Sequence, residues 1–419
     1  MYADIITIGD EILLGQVVDS NSAYIATSLN TVGIRVRMIH SVSDRERDII
    51  NTLDNSVQNS DLVILTGGLG PTDDDITKKA LAAYFDSKLV IHQESLDHIR
   101  KIFSIMTIEM TKRNIRQAEI PEISEALPNS QGCAPGMLFR KNGKIIISLP
   151  GVPVEMKTLM QEQVLPLLFR EYALLPGLHK TILTVGLGES VLADKLNSWE
   201  KELGNEMKLA YLPGQGILRL RLSVTDPQKK GAGDLLERKV NELTGLIGEY
   251  HIYGFDSDLL PAVVGRLLEK NNLTLSVAES CTGGNIARLI TGIPGASAYF
   301  KGSVTAYAND IKTNILRVSE QDIRLHGAVS KQVVEQMATG IKDRFGSHYS
   351  IATSGIAGPE GGSAEKPVGT TWIAIASPDK VISRKFLLGN RRDRNIVRAS
   401  LYALNMLRNT LISDQQNIK

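Results

Sequence analysis

Apolar and polar positions alternate along the chain in three successive regimes. In the first third the rhythm is strand, helix, strand, helix, strand. Residues 2–8, Tyr-Ala-Asp-Ile-Ile-Thr-Ile, are a strand-like run that ends in a turn at Gly9-Asp10-Glu11. After the loop carrying Gly15, Asp19, Ser20 and Asn21, a helix with Tyr24, Ile25 and Leu29 ends near Gly33. Residues 34–39 alternate with the period of two expected of a strand. Asp44 is placed to cap a helix whose apolar face is Ile49, Ile50, Leu53 and Val57. Residues 61–65, Asp-Leu-Val-Ile-Leu, have the short apolar run of a central parallel strand. This β-α-β-α-β order predicts an α/β domain with a doubly wound parallel sheet.

The pattern changes after Gly151. Residues 154–169 are periodic as a helix, 180–186 as a strand and 190–203 as a helix. Residues 207–211 and 217–224 predict a hairpin across Pro213-Gly214-Gln215-Gly216, and 234–247 a second amphipathic helix. The result is a small α+β unit. Leu218, Leu220, Leu222 and Val224 face its core, while Arg219 and Arg221 alternate with them on a solvated face. The polar segment 253–258 is predicted as the linker to a third regime, which opens with a helix over 259–271. There the strands are expected at 273–277, 302–307, 350–354, 370–376 and 381–388. Helices are expected at 285–291, at 330–345 with Ser330 as its cap, and from Asp393 onward. The domain boundaries follow as 1–170, 171–253 and 254–419.

Composition narrows the function classes. With 419 residues, 42% hydrophobic and 22% charged, the chain is of the ordinary soluble globular kind, long enough for two or three domains. A net charge of +1 gives no argument for nucleic acid or membrane. The arginines on 217–224 lack a GXXG clamp with a basic flank, Gly186-Leu187-Gly188 being too short. Cys133 and Cys281 fall in different domains and form no disulfide framework, and no signal peptide is read at Met1-Tyr2-Ala3, so a cytoplasmic location is expected. The seven histidines have no zinc-type spacing.

Two stretches carry candidate chemistry. The strand at 61–65 runs into Thr66-Gly67-Gly68-Leu69-Gly70-Pro71-Thr72-Asp73-Asp74-Asp75. Ligands of open α/β sheets bind beyond strand carboxyl ends, and glycine-rich backbone followed by a helix start can wrap a phosphate. Without Gly-Lys-Ser/Thr it is not a Walker loop. Asp10, Glu11, Asp73 and Asp74 all lie at such ends. They are candidates for a divalent ion, against the plainer role of acids favouring a helix dipole.

The second stretch is Ala278-Glu279-Ser280-Cys281-Thr282-Gly283-Gly284, between the strand at 273–277 and the helix at 285–291. A small hydroxyl residue at this junction suits a nucleophile or an anion site, because the helix start offers unpaired N–H groups. It equally suits a plain N-cap by Ser280 or Thr282. Tyr307, Asn309, Asp310 and Lys312 follow the next strand, and a lysine held near a serine can serve as its base, although taken singly Lys312 has the look of a solvated surface lysine. Ser354 and Gly355–Gly362 form a second glycine-rich loop, able to present N–H groups to an oxyanion or to be a long turn. Arg394 and Arg398, four apart on the final helix, could clamp a phosphate or carboxylate or stay solvated. Cys281 is intrinsically a better nucleophile than Ser280, and the residues alone do not separate the two.

The motifs AESCTGG, VTAYANDIK and SGIAGPEGGSAEKPVGT, in that order over roughly Leu259–Leu411, resemble the C-terminal domain of the CinA family, the PncC-type nicotinamide mononucleotide amidohydrolases. The resemblance implies hydrolysis of a carboxamide to a carboxylate and ammonia, without a cofactor. Ser280 would be the nucleophile, assisted by Tyr307 and Lys312. Glu279, Thr282, Gly283, Gly284, Ser297, Asn309, Ser354, Gly355, Gly358, Arg394 and Arg398 would surround the substrate. GDEILLGQVVDSNS and LTGGLGPTDDDITKKAL, with Leu127-Pro128-Asn129 and Leu149–Met156, resemble the MoaB/MogA-like molybdopterin-binding fold found at the N-terminus of CinA proteins. By that resemblance Thr66, Gly67, Gly68, Gly70 and Thr72 hold phosphates. Asp10, Glu11, Asp73 and Asp74 hold a divalent metal, with potassium as a further ion, for hydrolysis of ADP-ribose to AMP and ribose 5-phosphate. The middle segment corresponds to a KH-like domain, and family precedent is a homodimer acting on small nucleotides. Two other readings stay open: an enzyme active only in its N-terminal domain, and a non-catalytic pterin or nucleotide binder associated with competence.

Overall fold

The computed structural model describes residues 1–72, 74–172 and 177–416. They divide into a unit at 1–177 and a unit at 178–419. In the first, β1 (Tyr2–Ile8) is the pivot. Its residues alternate between two cores. Ala3 and Ile5 pack with the helix Ser20–Thr31 and the long helical stretch at 153–171, whereas Ile6 and Ile8 pack with the helices Glu46–Asn59 and Thr77–Tyr84. A strand covered on both faces is expected to be largely apolar, and its two buried polar residues are both bonded: Asp4 to Arg37 and to the Ser60 hydroxyl at 2.8 Å, and Thr7 to the His40 carbonyl at 3.1 Å.

The remaining strands are β2 (Arg35–Val42), β3 (Leu62–Thr66), β4 (Leu89–Ile91), β5 (Glu119–Pro121), β6 (Glu125–Leu127), β7 (Gly136–Lys141) and β8 (Lys144–Leu149). The main sheet has the order β2-β1-β3-β8-β7-β6, while β4 and β5 pair apart. Pairs β2/β1, β1/β3 and β3/β8 are parallel, as expected, but β7 and β6 are added antiparallel. The reversal is made at Asn142-Gly143, both in the left-handed region (φ 53° and 74°), which is the two-residue turn that matches strand twist. The register sets Ile8, Thr66 and Leu149 at neighbouring carboxyl ends. Two local expectations are corrected here. Asp10–Leu13 is a short helix rather than a turn. Asp44 does not cap the helix at Glu46, because its carboxylate accepts the Asp10 N–H at 2.9 Å instead. The helix predicted over 154–169 runs over 153–171 with a π turn at Met160–Val164 just before Pro166, where the missing N–H and the proline ring would strain a regular α-helix.

In the second unit β9 (His179–Val185), β10 (Met207–Pro213), β11 (Ile217–Val224) and β12 (Ile252–Phe255) form an antiparallel sheet in the order β10-β11-β9-β12. The first half of the segment predicted as linker, Tyr253 to Phe255, is therefore part of the fourth strand, and 256–258 form the turn after it. Tyr253 is buried, and the opposite face of β9 supplies Leu183 and Val185 to the core of the C-terminal sheet. That core lies against β13 (Leu275–Glu279), β14 (Phe300–Thr305), β15 (Tyr349–Gly355), β16 (Thr370–Ala376) and β17 (Val381–Leu387), ordered β14-β13-β15-β16-β17. Strands β14, β13 and β15 are parallel and β16 and β17 antiparallel. Helices Leu260–Lys270, Asn285–Thr291 and Arg392–Gln416 cover one face, and Asn309–Leu316 and Lys331–Phe345 the other. Ser330 caps the last of these by accepting the Val333 N–H, as expected. Among the described residues no helix is long and apolar enough to cross a membrane.

One buried cation joins the small sheet to the final helix. Arg408, 5% exposed, donates to the carbonyls of Ile252, Glu249 (3.1 Å) and Tyr250 (3.0 Å), and to Asn405 and Asn409. Replacing it removes the charged donor from all three carbonyls, of which Glu249 keeps the Ile252 N–H and Tyr250 the Asn409 amide. Arg408→Leu is expected to cost about 3 kcal/mol, read as an earlier denaturant midpoint in the fluorescence of Trp199, which belongs to the small sheet's helical cover.

Candidate functional site

The C-terminal candidate residues converge where β13, β14 and β15 end. Register pairs Glu279 with Thr305 and with Thr353, so Ser280, Ala306 and Ser354 begin the loops at one level. The chain then turns sharply. The Ser280 N–H is held by the Thr353 carbonyl (3.0 Å), and the Gly283 N–H returns to the Ser280 carbonyl (3.1 Å). Gly283 and Gly284 both have positive φ, 62° and 95°, which is why two glycines stand here. Neither Ser280 nor Thr282 caps the helix, whose N-cap is Gly284. Thr282 instead shares a 2.7 Å hydrogen bond with the Thr353 hydroxyl.

The helix end is filled from within. Glu279 is fully buried, and its carboxylate accepts the N–H groups of Gly284 (3.1 Å), Ile286 (3.0 Å) and Ala287 (2.9 Å). The expectation that this helix start offers free donors to a substrate is thereby corrected, and Glu279 holds the turn rather than lining an open site. The Gly283 N–H is likewise committed, to the Ser280 carbonyl.

Lys312 is not a surface lysine. It is 1% exposed and donates to the carbonyls of Ala306 (2.8 Å), Tyr307 (3.1 Å) and Ala308 (3.5 Å). Burial lowers its pKa. Cys281, also buried, lies within the field of Lys312. Burial pushes its thiol up to about 12, with Glu279 adding to the rise and Lys312 and Arg392 offsetting part of it. A thiol so protected carries almost no thiolate at neutral pH, which weighs for Ser280 between the two. Gly355 is required beside it, since a Cβ there would stand 2.7 Å from the Thr371 hydroxyl and 3.0 Å from the Cys281 sulfur.

Tyr307 is half-exposed and follows β14. Its hydroxyl accepts a 2.8 Å bond from Arg392, whose other terminal nitrogen donates to the Gly358 carbonyl at 3.1 Å. Arg392 escapes the sequence reading, which starts the helix at Asp393, one residue later. The remaining candidates disperse. Ser354 is buried and donates to the Ala328 carbonyl (2.7 Å). Asn309 opens its helix at the surface. Arg398 donates to the Leu388 carbonyl (2.8 Å) and packs against Gly216, so it does not pair with the exposed Arg394 as a clamp. Ser297 precedes β14 and lies at the opposite, amino end of the strands from Ser280.

In the first unit a cleft of about 600 Å³ opens beyond β1, β3 and β8. Thr66, Gly67, Gly68, Gly70, Glu11 and Asp74 line it, with Asp19, Asp44, Asp75 and Glu155. Gly67 approaches β1 so closely that a Cβ would stand 2.2 Å from the Ile8 carbonyl oxygen, and its own carbonyl accepts the Thr77 hydroxyl at 3.0 Å. Thr72 is turned away, bonded to the Asp75 carboxylate through both its N–H (2.8 Å) and its hydroxyl. Asp10 is engaged with Asp44 and does not line the cleft, and Asp73 lies outside the described residues. The sequence does not announce Asp44 at the site. Burial raises its pKa, and the neighbouring carboxylates of Asp10, Glu11 and Asp74 raise it further, against the Asp10 N–H. Among the described residues no three Asp, Glu, His or Cys side chains converge in metal-binding geometry. The donors present are hard oxygens crowded by like charge. They suit a magnesium-like ion that takes one or two carboxylates and completes its shell with ligand phosphates and water.

Each unit thus holds an α/β sheet with polar candidate residues at its strand ends, and the second unit adds a small antiparallel sheet. Residues 4–170 match the family model described as a probable molybdopterin binding domain, 179–254 the damage-inducible protein CinA KH domain, and 258–411 the CinA C-terminal domain. The chain is 46% identical over 417 residues to a CinA-like protein of Cytophaga hutchinsonii, covering 98% of both chains. It is 45% identical to one of Flavobacterium psychrophilum, covering 97% of this chain and 98% of that one. A third, from Dictyoglomus thermophilum, is 38% identical over 99% of this chain and 100% of its own. The chain belongs to the family of CinA-like proteins.

Two stability measurements check these placements. Glu279→Gln keeps the shape but places an NH₂ against N–H groups, and is expected to lose about 3 kcal/mol, followed through Trp372 on β16 of the same sheet. No loss would mean that the carboxylate is not what anchors the turn. Lys78, 7% exposed beside the N-terminal cleft, donates to the Gln117 carbonyl (2.7 Å), and burial brings its pKa from 10.5 down to about 8. Between these values the unfolded chain binds the extra proton, so stability rises with pH across that window. Lys78→Met should therefore be more stable than the parent at neutral pH by roughly 2 kcal/mol, with the advantage shrinking as pH climbs from about 8 to 10.5. A difference that is flat with pH would contradict this.

Proposed function

We propose that the C-terminal domain hydrolyses the carboxamide of nicotinamide mononucleotide to nicotinate mononucleotide and ammonia. The observation that carries this reading is the buried Lys312 held at the same strand ends as Ser280, in a turn built by Glu279 and two glycines. The Ser280 oxygen attacks the carboxamide carbon while Lys312, with Tyr307, takes up its proton. The tetrahedral oxyanion is met by backbone N–H groups of the turn, each worth ~3 kcal/mol of barrier. The proton is returned to the departing nitrogen, ammonia leaves, and a nicotinoyl ester remains on Ser280. Water then cleaves that ester to the acid and restores the serine. Burial of Lys312 helps because a desolvated amine gives up its proton more readily. The three carbonyls around it hold the charged form in place until it does.

A second activity is proposed for the N-terminal cleft, favoured by the crowding of carboxylates around Asp44 beside the glycine loop: hydrolysis of ADP-ribose to AMP and ribose 5-phosphate. One or two of the carboxylates Glu11, Asp44 and Asp74, together with the ligand's own phosphates, would hold a divalent ion there, which would supply neutralisation of the diphosphate's charge. Thr66, Gly67, Gly68 and Gly70 position the phosphates. The working form is proposed to be a cytoplasmic homodimer acting on small nucleotides.

The test is ammonia release from nicotinamide mononucleotide without added metal. Ser280→Ala is expected to lose at least ~10³-fold, Cys281→Ala to stay within about threefold, and Lys312→Met to fall with Ser280→Ala. Full turnover by Ser280→Ala would falsify the assignment. Metal-dependent AMP release from ADP-ribose that survives Ser280→Ala but not Asp74→Asn would place the second activity in the other cleft.

A further inference from the structure

The start of the final helix carries three polar side chains that the proposed reaction does not use. Arg392, Asn395 and Arg398 stand three residues apart and so follow one face of that helix. All three donate to backbone carbonyls of the loops around the C-terminal site. Arg398 reaches Leu388 (2.8 Å), and the buried Asn395 reaches both Gly389 and Ala357 (3.0 Å each). Arg392 reaches Gly358 (3.1 Å) and, with its other terminal nitrogen, the Tyr307 hydroxyl (2.8 Å).

The loops held by this row are packed against one another. A Cβ on Gly369 would stand 2.2 Å from the Gly389 carbonyl oxygen. The Gly369 N–H donates to the Ile356 carbonyl (2.7 Å), and its own carbonyl accepts the Leu388 N–H (3.0 Å). Close-packed groups transmit strain, so a shift at Leu388 carries into the 355–358 loop and, through Arg392, to Tyr307.

The far end of the row meets the small antiparallel sheet. Gly216 stands at the turn between β10 and β11, and its backbone sits directly on the final helix. A Cβ there would stand 3.1 Å from the Arg398 Cγ, 3.4 Å from its Cα and 3.4 Å from Leu401. Ile217, the next residue, packs into the core of the C-terminal sheet.

We propose that Arg398, Asn395 and Arg392 are positioning residues through which the hairpin of the small sheet fixes Tyr307 for its part in the proton transfer. The inference rests on the reading of Ser280, Tyr307 and Lys312 as the reacting groups. It gives the middle domain a part in that site: the hairpin seats the helix at Arg398, and the row of donors passes that setting to the tyrosine.

Two glycines separate this coupling from simple backbone strain. Gly216 and Gly231 have nearly the same left-handed φ, 82° and 83°, but a Cβ on Gly231 meets nothing within 4 Å. Ammonia release from nicotinamide mononucleotide by the full chain is compared among the parent, Gly216→Ala and Gly231→Ala. Gly216→Ala is expected to lower kcat about tenfold or more with KM within about twofold, because a misplaced reacting group costs turnover rather than binding. Gly231→Ala should stay within about twofold of the parent. Arg398→Met keeps the packed stem, drops the bond to Leu388 and should fall with Gly216→Ala. In a Tyr307→Phe background Gly216→Ala should cost less than about twofold more, since its route to the chemistry is already cut. Equal effects of the two alanine variants, or an undiminished Gly216→Ala loss in the Tyr307→Phe background, overturn the row and leave the Ser280 assignment standing. Hydrogen exchange over 305–308 and 355–358 tests the row independently of turnover. It should quicken at least about fivefold in Gly216→Ala and not in Gly231→Ala. A parent without turnover overturns the proposed reaction alone if that contrast in exchange is present, and the row as well if it is absent.

Discussion

The buried carboxylate of Glu279 is the constraint on which the C-terminal site depends. A charged group with no exposure is tolerable only if its lone pairs are met, and here three N–H groups of one short helix meet them. The same bonds decide the turn. They need Gly284 to turn back toward β13, and they leave Ser280 and Cys281 at the strand end with Lys312 close behind. The helix dipole is answered inside the protein, while Arg392 is held against Tyr307 and Gly358 by its own two hydrogen bonds.

The N-terminal cleft rests on the opposite arrangement. Its glycine loop is shaped by close backbone approaches, Gly67 against Ile8 and Gly68 against Thr77, and its carboxylates are several and crowded, with Asp19, Asp44 and Asp75 each accepting one backbone N–H where Glu279 accepts three. Burial, and after it the like charges of Asp10, Glu11 and Asp74, raise Asp44's pKa. One site is thus built around a single carboxylate met from within, the other around several carboxylates of like charge. The two proposed chemistries divide along that line, one metal-free and one metal-dependent.

Legibility in the sequence follows local physics. β13 and β16 of the C-terminal sheet are visible as apolar runs, whereas β14, Phe-Lys-Gly-Ser-Val-Thr, is mostly not apolar and lies at 300–305 rather than at the expected 302–307, and the glycine-rich loops mark strand ends because glycine readily takes those backbone angles. Where a residue's partner is distant in the chain, the sequence misleads. Glu279 looks like a substrate contact because its three acceptor bonds depend on how the helix is set. Ser297 looks like a pocket residue because parallel strands put consecutive loops at opposite ends of a sheet, and strand direction has to be known to say which. The 253–258 segment looks like a linker because its polarity is local, whereas its burial comes from pairing with β9 across the sheet. Asn142-Gly143 is a hairpin signal present in the sequence, and it announces the antiparallel β7 and β8.

By itself, then, the sequence determined the family, the α/β layering and the strand ends at which reactive groups gather, since periodicity, glycine placement and long motifs are properties of neighbouring residues. Only the tertiary structure decided which of those groups are free to act. It buried Lys312, protected the Cys281 thiol, committed Glu279 to a helix end, drew Arg398 to Leu388 and brought Arg392 to Tyr307. Charge and burial are set by what folds against a residue from far along the chain, and no local pattern records that.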